Sequence, residues 1–172
     1  VPSVYYQLSE AGIERNWNKM IDATNLPFII YNIPVFTGYD LSLNLLKKMV
    51  SNPKVIGVKN TTMNAFSIQQ FKKVGGENFV VFNGPDEQYL AGRIMGAEAG
   101  IGGTYGIMPE LFVRLEQLFR ENKIEEAQSV QNAINDVICD LLQFGCLYSG
   151  TKEVLRLRGI NIGKVRDPLM PL

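Results

Sequence analysis

Four short apolar segments at nearly regular spacing restrict the folds open to this 172-residue chain more than any other feature. Their first residues lie 20 to 28 positions apart, and most of the segments are rich in β-branched residues. The segments are residues 27–31, 55–59, 79–83 and 99–102. Such segments are typical of β-strands, and each interval is long enough for one helix. Because the apolar residues run continuously instead of alternating with polar ones, we expect a parallel sheet covered on both faces.

The stretches between and after these strands carry apolar residues at helical spacing. The predicted helices span residues 9–24, 41–50, 65–74, 86–95, 109–120, 122–144 and 151–158. Ser9 is expected to cap the first helix, and Asn122 begins NKIE, a sequence like a capping box, at the start of the longest one. Four strand–helix units within residues 1–121 are therefore followed by a helical extension over residues 122–172.

Four units leave two α/β architectures open. A (β/α)8 barrel needs eight strands and typically about 250 residues, so this chain would supply only half of one. The alternative is an open, doubly wound parallel sheet. A half-barrel has unpaired strand edges and an uncovered interior. We therefore expect such a fragment to require the missing N-terminal half, or another copy, rather than to exist alone as a stable, active monomer.

Composition excludes several classes of function. The chain has no histidine, so Ser-His-Asp, Cys-His and HExxH sites cannot be built within it. Its 17 basic residues balance its 17 acidic residues, whereas nucleic-acid binders usually carry a basic excess. Cys139 and Cys146 are too few for a zinc finger or a disulfide framework, so we predict a reduced, cytoplasmic protein with no metal and with both cysteines buried. No run of 18 apolar residues predicts a membrane span.

Polar side chains follow the predicted strands, at the edge where α/β folds place their reactive groups. Lys59 ends the second strand, where partial desolvation favours the neutral amine that can attack a ketone to form a Schiff base. Tyr31 ends the preceding strand, so its phenol should lie beside Lys59 and could relay a proton. Asp86 and Glu87 follow the third strand, and Gly103 follows the fourth.

Each of these residues also has an ordinary structural explanation. A lysine at a strand end is usually solvated, and a tyrosine after an apolar strand is often a core residue with a bonded hydroxyl. Asp86 and Glu87 could complement the N-terminus of a helix, and Gly103 could simply allow a turn. Only their placement at four successive strand ends favours a shared site.

Four strings of residues resemble one enzyme family. They are YNIPVFTG at residues 31–38, GVKNTT at 57–62, NGPDE at 83–87 and GAEAGIGGTYGIMP at 96–109. Together they resemble the N-acetylneuraminate lyase and dihydrodipicolinate synthase family, whose members are class I, Schiff-base aldolases on a (β/α)8 barrel. The likeness extends over nearly the whole chain. It implies that this chain carries about the last four βα units of the barrel and a C-terminal helical annex.

The resemblance also implies roles for individual residues. Lys59 corresponds to the lysine that forms the imine, and Tyr31 to the tyrosine that shuttles a proton. The strings look most like the sialic acid lyase branch. Thr61 matches a threonine that contacts the sugar in that branch. Gly84, Asp86 and Glu87 match the glycine and the acidic pair that contact the sugar's glycerol-like tail.

Three departures from that branch affect the predicted substrate site. Gly103, a candidate substrate-binding position, stands where the branch typically has Ser, and Gly106 stands where it typically has Asn. The family's GSTGE-like loop, which holds the substrate carboxylate, has no counterpart here. The N-terminal VPSVYYQLSEAG resembles a segment whose tandem tyrosine reaches a neighbouring subunit's site, with Tyr6 the closer match and Tyr5 possible. This implies a homo-oligomer, a dimer of dimers.

The implied activity is the cleavage of a 2-keto-3-deoxy sugar acid, such as N-acetylneuraminate, to pyruvate and N-acetylmannosamine. Lys59 would hold the covalent imine, and no metal, nicotinamide or pyridoxal phosphate is required. Alternatives on the same scaffold are a dihydrodipicolinate synthase-like condensation and a 2-keto-3-deoxy-gluconate aldolase. A pyridoxal phosphate enzyme that uses Lys59, and a non-catalytic binding module on an open sheet, are alternatives of other classes.

Overall fold

A computed structural model describes residue 2 and residues 4–172 of the chain. The chain divides into two compact units, Val1–Ile101 and Gly102–Leu172. The first unit contains the parallel sheet and the second is helical.

The first unit alternates strands with helices, as the spacing predicts. Its strands are β1 (Phe28–Asn32), β2 (Val55–Asn60), β3 (Val80–Asn83) and β4 (Ala99–Gly100). Its helices are α1 (Glu10–Asp22), α2 (Pro34–Thr37), α3 (Leu43–Met49), α4 (Phe66–Gly75) and α5 (Tyr89–Ile94), and a 3₁₀ turn spans Asp86–Gln88. The short helix α2 was not predicted, and the helix predicted over residues 86–95 is divided between the 3₁₀ turn and α5.

The order of the strands decides between the two α/β architectures. All strand pairs are parallel, and the order in the sheet is β1-β2-β3-β4. A doubly wound sheet reverses its strand order at a switch point, whereas a barrel adds each new strand beside the last one. The sequential order of the described strands is that of a barrel segment.

One face of the sheet is packed and the other is open. Ile30, Val58 and Val81 are at most 1% exposed and lie in one core with residues of α1, α3 and α4. Ile29, which points to the opposite face of β1, is 41% exposed. The expectation of cover on both faces is therefore not met by the described residues of the first unit.

Local signals explain the helix ends in the first unit. Ser9 caps α1 as predicted, because its hydroxyl oxygen accepts a hydrogen bond from the Gly12 N–H at 3.2 Å. Helix α3 begins two residues later than predicted, because Ser42 is its cap and accepts from the Leu45 N–H at 3.0 Å. The carboxylate of Asp40 is thereby left for a different contact, which is described below.

The second unit consists of α6 (Pro109–Arg120), α7 (Ile124–Leu142) and α8 (Leu147–Leu157). Helix α6 has the predicted bounds and packs against α7, which packs against α8. Asn122 does not cap α7. Its φ of 59° is left-handed, and Lys123 is the residue that precedes the first turn.

Two further expectations concern the second unit. Cys139 is exposed and Cys146 is half-buried, so the prediction that both are buried is wrong. Across residue 2 and residues 4–172, no helix is long and apolar enough to cross a membrane.

Candidate active site

Lys59 and Tyr31 lie side by side at the carboxyl end of the sheet. They are partners in the parallel register of β1 and β2, and both are half-buried on the open face. The Lys59 Nζ is 4.1 Å from the centre of the Tyr31 ring, which is within the range of a cation–π contact. An amine and a phenol are thus in contact on rigid elements, as their places in the sequence predict.

Thr61 and Gly84 continue β2 and β3 into the loops above the sheet. The Thr61 N–H donates to the Asn32 carbonyl and the Gly84 N–H to the Asn60 carbonyl, each at 2.8 Å. A Cβ built on Gly84 would lie 2.1 Å from the Thr61 Oγ1 and 2.7 Å from its Cα, so only glycine fits there without a shift. These two predicted substrate residues are therefore in direct contact.

The predicted acidic pair is split by the 3₁₀ turn that holds it. Asp86 is buried, with 6% of its surface exposed, whereas Glu87 is exposed. Only Glu87 lines the cavity at this end of the first unit. That cavity has a volume of about 510 Å³, and its walls are Pro34, Val35, Asp40, Thr61, Thr62, Met63, Asn64, Pro85 and Glu87.

Apart from Thr61 and Glu87, the predicted site residues are not among those that line this cavity, and this includes Lys59 and Tyr31. Tyr5 and Tyr6 are 83% and 68% exposed, and their rings meet edge to face with centroids 4.8 Å apart. Neither tyrosine lines the cavity. Gly103 belongs to the second unit, and a Cβ added to it would meet no atom within 4 Å.

Three residues of this site were given no role by the sequence analysis: Asn32, Asn60 and Asp40. The Asn32 Nδ2 donates to the Asp40 Oδ1 at 2.8 Å and to the Asn60 Oδ1 at 2.9 Å. The signal that could have found the asparagines is their repeated position, since one directly follows Tyr31 and the other directly follows Lys59.

The loop that carries Asp40 is tied to α1 by its neighbour Tyr39. The Tyr39 hydroxyl donates to the Glu10 Oε1 at 2.9 Å. Hydrogen bonds from Ser42 and Tyr39 lower the pKa of Glu10 below its ordinary value. Burial, followed by the hydrogen bond to Glu10, raises the pKa of Tyr39. This pair anchors one wall of the cavity.

No group of three or more potential metal-binding side chains occurs in the described part of the chain. The groups that the site offers are one amine, one phenol, hydroxyls, amides and carboxylates. The amine and the phenol can perform imine and proton-transfer chemistry with carbonyl compounds.

Comparison with known sequences decides the family. The sequence model of the Dihydrodipicolinate synthetase family matches residues 1–172. This chain belongs to that family. The N-acetylneuraminate lyase of Mediterraneibacter gnavus is 43% identical over 175 residues, which include all of this chain and 56% of that enzyme. The N-acetylneuraminate lyase of Rhizobium meliloti is 34% identical over 168 residues, covering 98% of this chain and 55% of that enzyme.

Known structures of family members have the same fold. The wild-type sialic acid aldolase of Ruminococcus gnavus has a TM-score of 0.96 at 43% identity, over 99% of this chain and 58% of that one. A catalytic lysine mutant of that aldolase gives the same TM-score at 42% identity, over 99% of this chain and 57% of that one. The N-acetylneuraminate lyase of Fusobacterium nucleatum has a TM-score of 0.88 at 31% identity, over 96% of this chain and 56% of that one.

These matches confirm the predicted fold class. The first unit is part of a (β/α)8 barrel, and the chain spans about 56% of the length of the curated relatives that it matches. A dihydrodipicolinate synthase of Bacillus anthracis, at 19% identity and a TM-score of 0.90, shows the same fold alone.

Proposed function

We propose that this chain carries the reacting residues of a lyase that cleaves N-acetylneuraminate, or a similar 2-keto-3-deoxy sugar acid, to pyruvate and an aldehyde sugar. The observation that carries the proposal is the contact between the Lys59 amine and the Tyr31 ring, 4.1 Å apart at the carboxyl end of the sheet. Two relatives at 43% and 34% identity are N-acetylneuraminate lyases, and the Ruminococcus gnavus aldolase has a catalytic lysine.

The first proposed step forms the imine. The neutral amine of Lys59 attacks the C2 ketone of the open-chain sugar acid, and loss of water leaves a protonated imine. This cation is a far better electron sink than the ketone, which is why covalent catalysis divides one difficult step into two easier ones.

The second step cleaves the carbon–carbon bond. Tyr31 accepts the proton of the C4 hydroxyl while its own phenol proton passes to the substrate carboxylate. The C3–C4 bonding electrons move to the C2–C3 bond, C4 becomes an aldehyde, and the imine becomes an enamine. Protonation of the enamine at C3 and attack of water on the imine then release pyruvate and the free amine of Lys59. No metal or organic cofactor takes part in this scheme.

The remaining predicted residues would orient the substrate. Thr61 and Glu87 line the same cavity of about 510 Å³, which supports a role in binding the sugar hydroxyls. Gly84 would let the loop of Asp86 approach Thr61 closely, and Gly103 is proposed to bind the substrate. A buried hydroxyl needs a partner, and the Thr61 Oγ1 has no hydrogen-bond partner among the described residues.

We further propose that the complete enzyme contains an N-terminal half-barrel that covers the open face of this sheet. Two observations support this partner. The chain leaves a large share of its relatives' length unmatched, and Ile29 is exposed on the open face. Exposed Tyr5 and Tyr6 would reach a second subunit of a homo-oligomer, arranged as a dimer of dimers. The free thiols of Cys139 and Cys146 suit the reducing cytoplasm, where we place the reaction.

Borohydride trapping tests the proposed imine. When the complete natural polypeptide is incubated with pyruvate and sodium borohydride, we expect one reduced pyruvate adduct, located at Lys59 by peptide mass spectrometry. Lys59→Arg keeps the positive charge but cannot form the imine, so it should give no adduct. Lys47→Arg, at an exposed position of α3, is the matched control and should trap pyruvate normally.

The substrate is tested separately from the imine. We expect N-acetylneuraminate cleavage, measured as pyruvate release, to exceed condensation of pyruvate with aspartate semialdehyde. Absence of any adduct at Lys59 would overturn the Schiff-base mechanism. An adduct at Lys59 together with efficient condensation would instead overturn the proposed substrate and leave the mechanism in place.

A further inference from the structure

Asparagines end the first three strands at the same level of the sheet. Asn32 pairs in register with Asn60, and Asn60 pairs with Asn83. All three are buried, with 2%, 0% and 0% of their surface exposed. Buried amides are costly unless their hydrogen bonds are satisfied, so their partners define what these residues do.

The amide of Asn32 is held in one orientation. Its Oδ1 accepts from the Leu41 backbone N–H at 3.0 Å, and because a backbone N–H can only donate, this contact identifies the oxygen. The Nδ2 must then face the Asp40 Oδ1 at 2.8 Å and the Asn60 Oδ1 at 2.9 Å. Asn32 thus uses both of its hydrogens and its oxygen.

The amide of Asn60 continues the same network. Its Oδ1 accepts from Asn32, and its Nδ2 donates to the Ser67 Oγ at 2.8 Å and to the Thr62 Oγ1 at 3.3 Å. The network therefore links the cavity wall at Asp40, the ends of β1 and β2, and the first turn of α4.

Asn83 has a different set of partners. Its Nδ2 donates to the Pro85 carbonyl at 2.6 Å and its Oδ1 accepts from the Gln88 Nε2 at 3.3 Å. Gly92 leaves room for it, since a Cβ there would lie 2.5 Å from the Asn83 Oδ1. Asn83 therefore holds the turn after β3, whereas the Asn32–Asn60 bond joins two strands.

We propose that the Asn32–Asn60 hydrogen bond is a positioning device that holds the Tyr31 phenol in working geometry beside the Lys59 amine. Side chains alternate between the faces of a strand, so an amide fixed on the buried face fixes the backbone of the residue before it on the open face. Tyr31 precedes Asn32 and Lys59 precedes Asn60. The inference rests on the proposed Schiff-base function, because positioning has meaning only if these two groups react.

The direction of the bond yields a matched pair of test variants. Asn32→Asp replaces the donor by an oxygen that faces the Asn60 Oδ1 and the Asp40 carboxylate, so it breaks the bond between the strands. Asn60→Asp keeps an acceptor for the Asn32 Nδ2, so the bond between the strands is retained. The Ser67 and Thr62 hydroxyls, which donate to the Asn64 carbonyl at 2.6 and 3.4 Å, would have to exchange that bond for one to the new carboxylate. The two variants have nearly the same shape and each introduces one carboxyl group.

Steady-state kinetics of N-acetylneuraminate cleavage by the complete natural polypeptide is the main measurement. A displacement of about 1 Å can cost on the order of 100-fold in rate. For Asn32→Asp we therefore expect kcat to fall by about 10- to 100-fold with KM changed by less than about threefold, and for Asn60→Asp a clearly smaller fall in kcat. Borohydride trapping of pyruvate should persist in Asn32→Asp, because Lys59 itself is retained.

Two further variants separate positioning from a general loss of stability. Gln131→Ala removes a buried amide from α7, and we expect its kcat to match wild type. Ser67→Ala removes one acceptor of Asn60 while keeping both asparagines, and we expect kcat to fall by only a few-fold. This variant still tests the network if Asn32→Asp does not fold.

The outcomes distinguish the two proposals. If wild type traps pyruvate and cleaves the sugar acid but Asn32→Asp and Ser67→Ala keep full kcat, the positioning role is overturned and the function stands. Equal losses in Asn32→Asp and Asn60→Asp would also overturn it, because the effect would not follow the direction of the bond. If wild type traps no pyruvate, the proposed function fails, and this inference fails with it.

Discussion

At the scale of single residues, close contact sets the properties of the candidate site. Lys59 and Tyr31 touch because β1 and β2 pair in a register that places them opposite each other. Thr61 and Gly84 touch because each directly follows the end of one of two neighbouring parallel strands, β2 and β3. In this second pair, the Thr61 side chain leaves room only for glycine at position 84.

Gly84→Ala tests the second of these contacts. The new methyl group would overlap the Thr61 side chain and approach its Cα at 2.7 Å, and overpacking of this kind costs about 1–3 kcal/mol. We expect urea unfolding to show this loss of stability, together with a raised KM for the sugar acid because the Thr61 and Asp86 loops are pushed apart.

Gly106→Ala is the control for that substitution. A Cβ on Gly106 would meet no atom within 4 Å, and the glycine does not have a positive φ. The control should unfold at about the wild-type urea concentration. A Gly84→Ala protein as stable as the control would contradict the close contact with Thr61.

At the scale of secondary-structure elements, the loop between α2 and α3 is held by α1 rather than by the sheet alone. Tyr39 donates to Glu10, and the next residue, Asp40, accepts from Asn32 at the end of β1. The loop thus has one anchor on a helix and one on a strand, which keeps Asp40 in the wall of the cavity.

Glu10→Gln is expected to remove the loss of stability that protonation of Glu10 causes at acidic pH. The folded-state pKa of Glu10 lies below the ordinary value of 4.5, so its ionised form stabilises the native state above that pH. This stabilisation is lost as the pH falls through the folded-state pKa. Urea unfolding should show wild type as the more stable protein at neutral pH, with the difference vanishing well below pH 4.5.

Tyr39→Phe completes a double-mutant cycle for the same contact. It removes the donor instead of the acceptor, so the Glu10→Gln substitution should have a smaller effect in its presence. The difference should be modest, because Glu10 is partly exposed to solvent. Additive effects of the two substitutions at neutral pH would contradict the coupling between Tyr39 and Glu10.

Local sequence signals predict some elements better than others. Helix α6 has its predicted bounds because Pro109 starts it and its apolar face is strictly periodic. The predicted start of α7, at residue 122, is two residues too early. The prediction followed NKIE, which fits a capping box, whereas Asn122 adopts a left-handed conformation at the end of the preceding turn. Asparagine is favoured both as an N-cap and in the left-handed conformation, and only the path of the chain selects between these two roles.

At the scale of the whole molecule, one face of the sheet in the first unit is open. Four parallel strands close only part of a barrel, and Lys59 and Tyr31 lie on that open face. The proposed imine chemistry also requires groups that hold the substrate carboxylate, and no string in residues 1–172 resembles the GSTGE-like loop that has this role in the family.

Residues 1–172 alone are therefore expected to be inactive. In a chimera, the part of the Mediterraneibacter gnavus lyase that precedes the matched region would be joined to this chain. We expect the chimera to release pyruvate from N-acetylneuraminate and the isolated chain to release none above a Lys59→Arg background. Comparable turnover by both proteins would contradict the need for an N-terminal half-barrel.

The sequence by itself determined the strand–helix repeat, the parallel sheet and the placement of Tyr31 and Lys59 at neighbouring strand ends, because these depend on apolar periodicity and on neighbours along the chain. The tertiary structure alone decided other contacts: Asn32 with Asn60, Thr61 with Gly84, and Glu87 but not Asp86 with the cavity. Such contacts depend on the register between strands and on the loops above them. Those are properties of residues far apart in the sequence, and no local pattern encodes them.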